Sequence, residues 1–216
     1  MKILSFFFPQ KIAEAYSPIN GKIEIVEQFG KKSIKVQGLE QSGPMVEKIW
    51  EEGIKKIRNL KFEIRNGLIL GLGGGSAVKL INKHFPQARI LGIEIDPVMI
   101  KLGKKYLGLD ETRNLKIVVA DVFDWLPEAD DANHQTQFDL ILVDLYLGRK
   151  RSEKMITEDF LGKVKSLLSQ KGTVIFNFLK RKNKKLEFQK ILDKLGKVYD
   201  DIKVVKPVVN YLVVCR

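Results

Sequence analysis

Three carboxylates stand at or just beyond the ends of three mostly apolar runs of the chain: Glu94, Asp121 and Asp144. In an open sheet of parallel strands, ligands bind beyond the carboxyl ends of the strands, so these acids are expected to share one edge. Carboxylates accept hydrogen bonds from hydroxyl and amine groups and can take a proton from a reacting group. Their spacing therefore indicates a binding site with chemistry, since acids that serve only solubility scatter over the surface.

A cluster of glycines at residues 71–75 follows another apolar run and precedes a helix-like segment. Glycine permits a sharp turn and a close approach of the backbone to a ligand, and the helix N-terminus behind it offers free N–H groups. An acid about 20 residues beyond the first glycine, here Glu94, suits the two hydroxyls of a ribose. The pattern predicts a nucleoside site that includes Gly71, Gly73 and Gly75, with an ordinary glycine-rich β-to-α turn as the structural alternative.

Position along the chain assigns a role to each acid. Glu94 would bind the ribose, and Asp121 would accept a hydrogen bond from the exocyclic amine of an adenine, with Ile95 and Val122 packing on the ring. Asp144 would face the reacting end of the ligand. For Asp121 and Asp144 the alternative is that each only caps the helix that follows it.

Strands and helices alternate from about residue 46 onwards, and the chain ends on two strands joined by a short link. This order predicts an α/β fold: a doubly wound, mostly parallel seven-stranded sheet with an antiparallel terminal strand. Polar and apolar residues alternate over 22–27 and 33–37, around a turn, which predicts a small N-terminal β-hairpin. The predicted domains are therefore a hairpin module at residues 1–45 and a Rossmann-like domain at residues 46–216. The hairpin is too small to be stable alone and must pack on the main domain or on a partner subunit.

The composition is that of a globular protein, with 44% hydrophobic and 30% charged residues among 216. No apolar run approaches the roughly 18 residues that a membrane helix needs. We interpret residues 1–9 as a strand or packing tail, not a signal peptide, and expect a cytoplasmic protein. The single Cys215 and the distant His84 and His134 predict no metal site.

The formal net charge is +12, which fits an anionic partner such as nucleic acid. Basic residues cluster at 149–151 and 180–185, and solvated loops are favoured over a polyanion-binding face for both. The chain also lacks the Asn/Asp-Pro-Pro-aromatic motif expected after the fourth strand of enzymes that methylate base amines. Nucleic acid is thus a weakly supported partner.

A nicotinamide enzyme is the main alternative among nucleotide-binding sheets. It needs a third small residue in the G-x-G-x-x-G register, which Ser76 supplies, but it does not need an acid such as Asp121 after the third strand. The antiparallel terminal strand also favours the S-adenosylmethionine-dependent variant of the sheet.

From about residue 17 to residue 179 the sequence resembles the spermidine/spermine synthase family and its methyltransferase-fold relatives. The resemblance lies in segments that occur in the family's order: Gln41-Ser42, residues 69–75, 92–97, 120–125 and Val143-Asp144. It implies S-adenosylmethionine or its decarboxylated form as cofactor, with Glu94 on the ribose, Asp121 on the adenine amine and Asp144 helping to deprotonate an attacking amine. It also places Gln41 in the family's gate-forming segment, and Tyr146 would line the acceptor site.

Two departures from the family bear on the substrate. Aminopropyltransferases have an aspartate where this chain has Gly74, and a second acid shortly after the one matching Asp144, where residues 145–147 are Leu, Tyr and Leu. We therefore expect a methyltransferase that acts on a small-molecule acceptor of unknown identity. The alternatives are a polyamine aminopropyltransferase and a non-catalytic nucleoside-binding scaffold. A homodimer formed through the exposed edge of the hairpin is a further expectation.

Overall fold

The computed structural model describes residues 8–58, 63–126, 137–181 and 183–216. The tail interpreted at residues 1–9 and the polar loop expected near 127–137 lie almost wholly outside these residues. Within the described ranges, no helix is long and apolar enough to cross a membrane.

The N-terminal region is larger than the predicted hairpin. It forms a four-stranded antiparallel sheet in sequence order, with strands β1 (Gln10–Ser17), β2 (Gly21–Gln28), β3 (Lys31–Val36) and β4 (Leu39–Ser42). The predicted hairpin is the central pair, β2 and β3. The two outer strands were missed because half of the residues of β1 are exposed and the strand contains Lys, Glu and two Ala, and because β4 has only four residues.

The rest of the chain alternates between helices and strands as predicted. Its elements are α1 (Pro44–Arg58), β5 (Asn66–Leu70), α2 (Ser76–His84), β6 (Arg89–Glu94), α3 (Pro97–Leu107), β7 (Leu115–Val119), α4 (Val122–Trp125), β8 (Phe138–Val143), β9 (Tyr146–Leu147), β10 (Lys150–Arg151), α5 (Glu158–Ser166), β11 (Leu168–Leu179), α6 (Lys185–Gly196), β12 (Ile202–Val205) and β13 (Asn210–Cys215).

Seven of these strands form one sheet in the order β12-β13-β11-β8-β5-β6-β7. The pairs β11–β8, β8–β5, β5–β6 and β6–β7 are parallel, whereas β13 is antiparallel to both of its neighbours. The central strands β5 and β8 read as near-continuous apolar runs because both faces of the sheet are covered. The predicted fold class is confirmed.

The strand order reverses between β5 and β8, because the chain leaves β5 toward β6 and β7 and later returns on the other side. One core packs α1 and α2 on one face of the sheet, and a second core packs α5 and α6 on the other. A switch point of this kind leaves a crevice at the carboxyl ends of the two central strands.

The N-terminal sheet packs on α3 of the main domain. Four apolar side chains of β2 and β3 form a small core with three from the α3 region: Ile23, Ile25, Ile34, Val36, Met99, Leu102 and Leu107. The fully buried Asp96 joins the two parts, since its Oδ2 accepts hydrogen bonds from Ser17 Oγ and Asn20 Nδ2, each at 2.6 Å. Its Oδ1 caps α3 by accepting from the Val98 N–H at 2.8 Å. The sheet is thereby fixed two residues beyond Glu94.

Candidate functional site

A cavity of about 500 Å³ opens at the carboxyl ends of the central strands, with part of the N-terminal sheet as one wall. Nine of the ten residues that the sequence predicted for the site line it: Gln41, Gly71, Gly73, Glu94, Ile95, Asp121, Val122, Asp144 and Tyr146. The exception, Gly75, lies behind the lining. Its left-handed backbone (φ 91°) turns the chain into α2, and it packs against Leu109.

The turn after β5 requires glycine at position 71. Gly71 has a φ of 89°, and a Cβ there would collide with the backbone carbonyl oxygen of Asp144 on the adjacent strand. Only glycine combines that conformation with so close an approach. The turn therefore brings the glycine loop directly beside the end of β8.

Glu94 is nearly buried, with 7% of its surface exposed. Its carboxylate accepts hydrogen bonds from the backbone N–H groups of Gly73, at 2.7 Å, and Asp96, at 2.9 Å. Burial raises the pKa of this carboxyl, and the neighbouring charge of Asp96 adds to the effect, while the two N–H groups oppose it. The glycine loop and the end of β6 thus hold the carboxylate in one orientation at the cavity wall.

Asp121 both caps a helix and lines the cavity. Its Oδ1 accepts a hydrogen bond from the Phe123 N–H at 2.9 Å, which makes it the N-cap of α4. The capping alternative is therefore real, but capping uses one carboxylate oxygen of two. Val122 is buried directly beside it and presents an apolar surface to the same part of the cavity.

Asp144 has a strongly perturbed carboxyl at the cavity wall. The pKa of Asp144 is raised from 3.8 to about 7, mainly because the carboxyl is removed from bulk water. The charge of Glu94 also raises this pKa, whereas hydrogen bonds from Asn177 and the Trp50 indole lower it. The Asn177 Nδ2–Asp144 Oδ1 distance is 2.9 Å, and Asn210 Nδ2 in turn donates to Asn177 Oδ1 at 2.6 Å. Residues 146–147 after Asp144 form β9, so it caps no helix. A carboxyl of this pKa is suited to exchanging protons near neutral pH.

Sequence analysis did not assign Trp50, Asn177 and Asn210 to the site. Trp50 was expected on the buried face of α1, where it lies, but its indole also donates to Asp144. Asn177 is a buried amide within the apolar run of residues 174–179 of β11. Buried amide and indole groups normally have hydrogen-bond partners. An Asn or Trp at a position predicted to be buried therefore indicates that another part of the chain supplies a partner for it.

Gln41 and Tyr146 connect the segment after Asp144 to the rest of the fold. Gln41 Nε2 donates to the carbonyl oxygen of Gly148 at 3.3 Å, and the Tyr146 hydroxyl accepts from the Leu179 N–H at 2.9 Å. Burial raises the pKa of Tyr146 to about 12, so its phenol stays neutral. Both residues therefore support the antiparallel pair β9–β10, which forms the outer wall of the cavity.

Gly74 is packed tightly against the N-terminal sheet. A Cβ at this position would lie 2.7 Å from Ile34 Cδ1 and 3.0 Å from Ser42 Cβ, and the Gly74 N–H donates to Ser42 Oγ at 2.7 Å. A side chain here would require the terminal methyl group of Ile34 to move and would crowd Ser42. The loop is thus tightly packed at the position where aminopropyltransferases carry an aspartate.

No group of three or more His, Cys, Asp or Glu side chains is arranged to hold a metal ion in the described parts of the chain. Cys215 is fully buried, and burial raises the pKa of its thiol, which makes it a packing residue. His84 Nε2 lies 3.0 Å from Glu51 Oε2, away from the cavity, and His134 falls outside the described residues.

The doubly wound sheet with an antiparallel last strand, and the acid-lined cavity at its switch point, define a Rossmann-like α/β fold with a ligand site at its switch point. The model of the spermine/spermidine synthase domain family matches residues 48–215, and the chain belongs to this family. The resemblance inferred from the sequence motifs is confirmed.

Relatives of both transferase types are similar to this chain. The eEF1A lysine and N-terminal methyltransferase of Bos taurus is 32% identical over 120 residues, 53% of this chain and 17% of the relative. The polyamine aminopropyltransferase of Vibrio vulnificus is 28% identical over 150 residues, 68% of this chain and 50% of the relative. The chain thus spans half the length of one relative and about a sixth of the other.

A solved structure, human methyltransferase-like protein 13 in complex with SAH, is 25% identical to this chain. Its TM-score is 0.62, and the match covers 80% of this chain and 79% of that one.

Proposed function

We propose that the chain is an S-adenosylmethionine-dependent transferase that moves a methyl group to an amine acceptor. In the donor site, Glu94 accepts hydrogen bonds from the ribose hydroxyls and Asp121 from the exocyclic amine of the adenine, with Ile95 and Val122 against the ring. The cavity volume of about 500 Å³ falls in the range of small-molecule sites. The complex of human methyltransferase-like protein 13 with SAH supports the same donor class.

The main support for this proposal is the position of Asp144 at the cavity wall together with its raised pKa. This carboxyl lies in the wall of the cavity that also contains Glu94 and Asp121, and its pKa is raised to about 7. A general base works best when its pKa lies near the operating pH.

When bound, S-adenosylmethionine supplies a methyl group on a sulfonium, which is already activated toward attack. Asp144 accepts a hydrogen bond from the acceptor N–H and takes the proton as the N–C bond forms and the S–C bond breaks. Trp50 and Asn177 fix the orientation of its carboxylate through their hydrogen bonds. The glycine loop and the apolar walls align the acceptor with the departing sulfur and exclude water.

Two features favour methyl transfer over aminopropyl transfer. The chain has glycine at position 74, where neighbouring side chains crowd any Cβ, and residues 145–147 offer no second acid after Asp144. A polyamine and a decarboxylated donor each carry an amino group that needs a counter-charge when it leaves water. Polyamine aminopropyl transfer is the second candidate, because the family model and the Vibrio vulnificus relative favour it.

We also infer which parts of the chain form the site, what kind of acceptor it takes and where the protein acts. Residues 46–216 form the donor-binding domain, and residues 1–45 supply one wall through Gln41 and Ser42. The acceptor is a small molecule, and the protein acts in the cytoplasm.

Calorimetric titration with S-adenosylmethionine and with its decarboxylated form tests this proposal. We expect the former to bind, and Asp121→Ala to weaken it, while Asp124→Ala on the exposed side of α4 leaves the affinity unchanged. Tight binding of the decarboxylated form alone would reject methyl transfer in favour of aminopropyl transfer. Binding of neither by a folded chain, as judged by circular dichroism, would favour a non-catalytic scaffold.

A further inference from the structure

A second cavity, of about 300 Å³, lies beyond the carboxyl end of β11, between the β9–β10 pair and the start of α6. Tyr146 and Arg151 line both this cavity and the main one. Two basic clusters of the sequence meet here, since Arg181 Nη2 donates to the carbonyl oxygen of Arg149 at 3.4 Å. We call this second cavity the basic pocket.

Arg151 is a buried cation with an unused donor. Only 7% of its surface is exposed, and its Nε has no hydrogen-bond partner within the described part of the chain. Its Nη2 contacts both carboxylate oxygens of Glu153 at 3.0 Å, and its guanidinium lies 5.8 Å from the Phe178 ring centre. A buried N–H group without a partner is costly, so its persistence here indicates an acceptor that comes from outside the chain.

The charges around Arg151 favour an anion. The lining contains four cationic side chains, Arg151, Arg181, Lys184 and Lys185, and one carboxylate. That carboxylate, Glu187, lies 3.3 Å from Lys184 and 3.8 Å from Arg181, and Glu153, outside the lining, pairs with Arg151, so two carboxylates offset half of the four positive charges. A site with this balance repels polyamines and attracts oxyanions.

The N-terminus of α6 also favours the binding of an anion. The helix has 12 residues, and its N-cap, Lys184, makes no side-chain capping bond. The N-terminus of a helix offers backbone N–H groups and a partial positive charge to an anion. Aromatic side chains form the apolar floor of the pocket, where the Phe188 and Tyr211 rings stack with centroids 4.0 Å apart. Low polarity strengthens the attraction between charges.

We propose that the basic pocket binds an oxyanion, phosphate or carboxylate, through Arg151, Arg181 and the N-terminus of α6. Because Tyr146 and Arg151 also line the main cavity, the oxyanion belongs to the acceptor of the transfer reaction. This second step rests on the proposed function, whereas oxyanion binding itself does not.

Titration calorimetry of the full chain with inorganic phosphate, and separately with acetate, at fixed ionic strength and without donor tests the pocket. Arg181→Gln should weaken binding about tenfold, as expected for one charge-assisted hydrogen bond, and Arg151→Gln should weaken it at least as much. The matched control is Arg89→Gln, an exposed arginine at the opposite end of the sheet, which should leave binding unchanged. The tighter of the two probes identifies the oxyanion.

The partly exposed Arg181 keeps the test valid if the Arg151 variant fails to fold. The pocket would be overturned if neither probe bound at millimolar concentration, or if Arg89→Gln weakened binding as much as Arg181→Gln. Equal weakening by Arg89→Gln and Arg181→Gln, measured with phosphate or with an oligonucleotide, would mean that only the overall positive charge of the protein attracts anions.

Comparing O-phosphoethanolamine with ethanolamine tests the link to the acceptor. The phosphate-bearing amine should bind more tightly, and Arg181→Gln should remove the difference, whereas equal binding would overturn the acceptor assignment. S-adenosylmethionine affinity, measured on Arg181→Gln, should not change, because Arg181 does not line the main cavity. Phosphate binding without S-adenosylmethionine binding would reject the proposed function alone, and the reverse would reject the basic pocket alone.

Discussion

Replacing Gly74 by alanine should destabilise the protein by about 1–2 kcal/mol, because the added methyl group has no room. It would lie 2.7 Å from Ile34 Cδ1, 3.0 Å from Ser42 Cβ and 3.1 Å from Leu107 Cδ1. Overpacking of this kind costs about 1–3 kcal/mol, and the reduced freedom of the unfolded chain returns about 0.4–1 kcal/mol. Gly74 does not have a positive φ, so backbone strain adds nothing to the cost.

Thermal and urea unfolding measure this effect. For a chain of this size, 1 kcal/mol corresponds to about 2–4 °C in Tm, so Gly74→Ala should lower Tm by about 2–8 °C. The matched control is Gly162→Ala on the exposed face of α5, where a Cβ meets nothing within 4 Å. That substitution should raise the free energy of unfolding by about 0.5–1 kcal/mol, since alanine favours helix over glycine.

Shortening Ile34 tests whether the collision has the stated cause. Ile34→Val removes the methyl group nearest to the new Cβ and alone should cost about 0.5–1.5 kcal/mol. In the Gly74→Ala background the same change should cost less, with a coupling of at least about 0.5 kcal/mol in a double-mutant cycle. A Gly74→Ala protein as stable as the wild type, or a pair of substitutions with additive effects, would refute the packing argument.

Three further predictions concern the cavity and the joint between the sheets. Asp144→Asn should lower the transfer rate by about 10²–10⁴-fold. In the wild type, kcat/KM should rise with pH through about 7, where the Asp144 carboxyl loses its proton. A kcat/KM that does not change with pH would contradict the role of Asp144 as base. Because folding raises this pKa from 3.8, the native state binds more protons, so the contribution of Asp144 to the free energy of unfolding falls as pH rises from 3.8 to about 7. Urea titrations at several pH values should show that Asp144→Asn lacks this fall. Asp121→Ala should lower both donor affinity and Tm, whereas Asp121→Ser, which keeps a capping oxygen, should lower mainly the affinity measured by calorimetry; equal affinities for the wild type and the serine variant would remove the adenine assignment. Ser17→Ala should cost about 1–3 kcal/mol in urea unfolding, against less than about 0.5 kcal/mol for the exposed Ser166→Ala, because it removes one of the two side-chain donors to the buried carboxylate of Asp96.

The main sheet was predictable because its signals are local. The apolar runs of β5 and β8, the glycine turn between β5 and α2, and the acids at the strand ends can each be identified within a few residues. The outer strands of the N-terminal sheet lack such signals. The sequence of β1 has little alternation, and β4 is very short, so both depend on pairing with β2 and β3.

The site divides in the same way. Glu94, Asp121 and Asp144 could be predicted because parallel strands bring their ends to one edge. The environment of Asp144 could not, because Asn177 lies 33 residues away along the chain and is placed by the pairing of β11 with β8. The same limit applies to Gly74: the sequence identifies a missing acid, and only the docked N-terminal sheet shows which side chains crowd that position.

The position of Asp96 couples two events that are usually treated separately. Its carboxylate receives Ser17 and Asn20 of the N-terminal sheet, and its backbone N–H holds Glu94 at the cavity wall. Docking of that sheet and filling of the cavity are therefore linked equilibria. A ligand that binds only the docked form stabilises docking by RT ln(1 + [L]/Kd), about 2.7 kcal/mol at a hundredfold excess over Kd. The free energy needed to open the N-terminal sheet then increases with the concentration of free ligand.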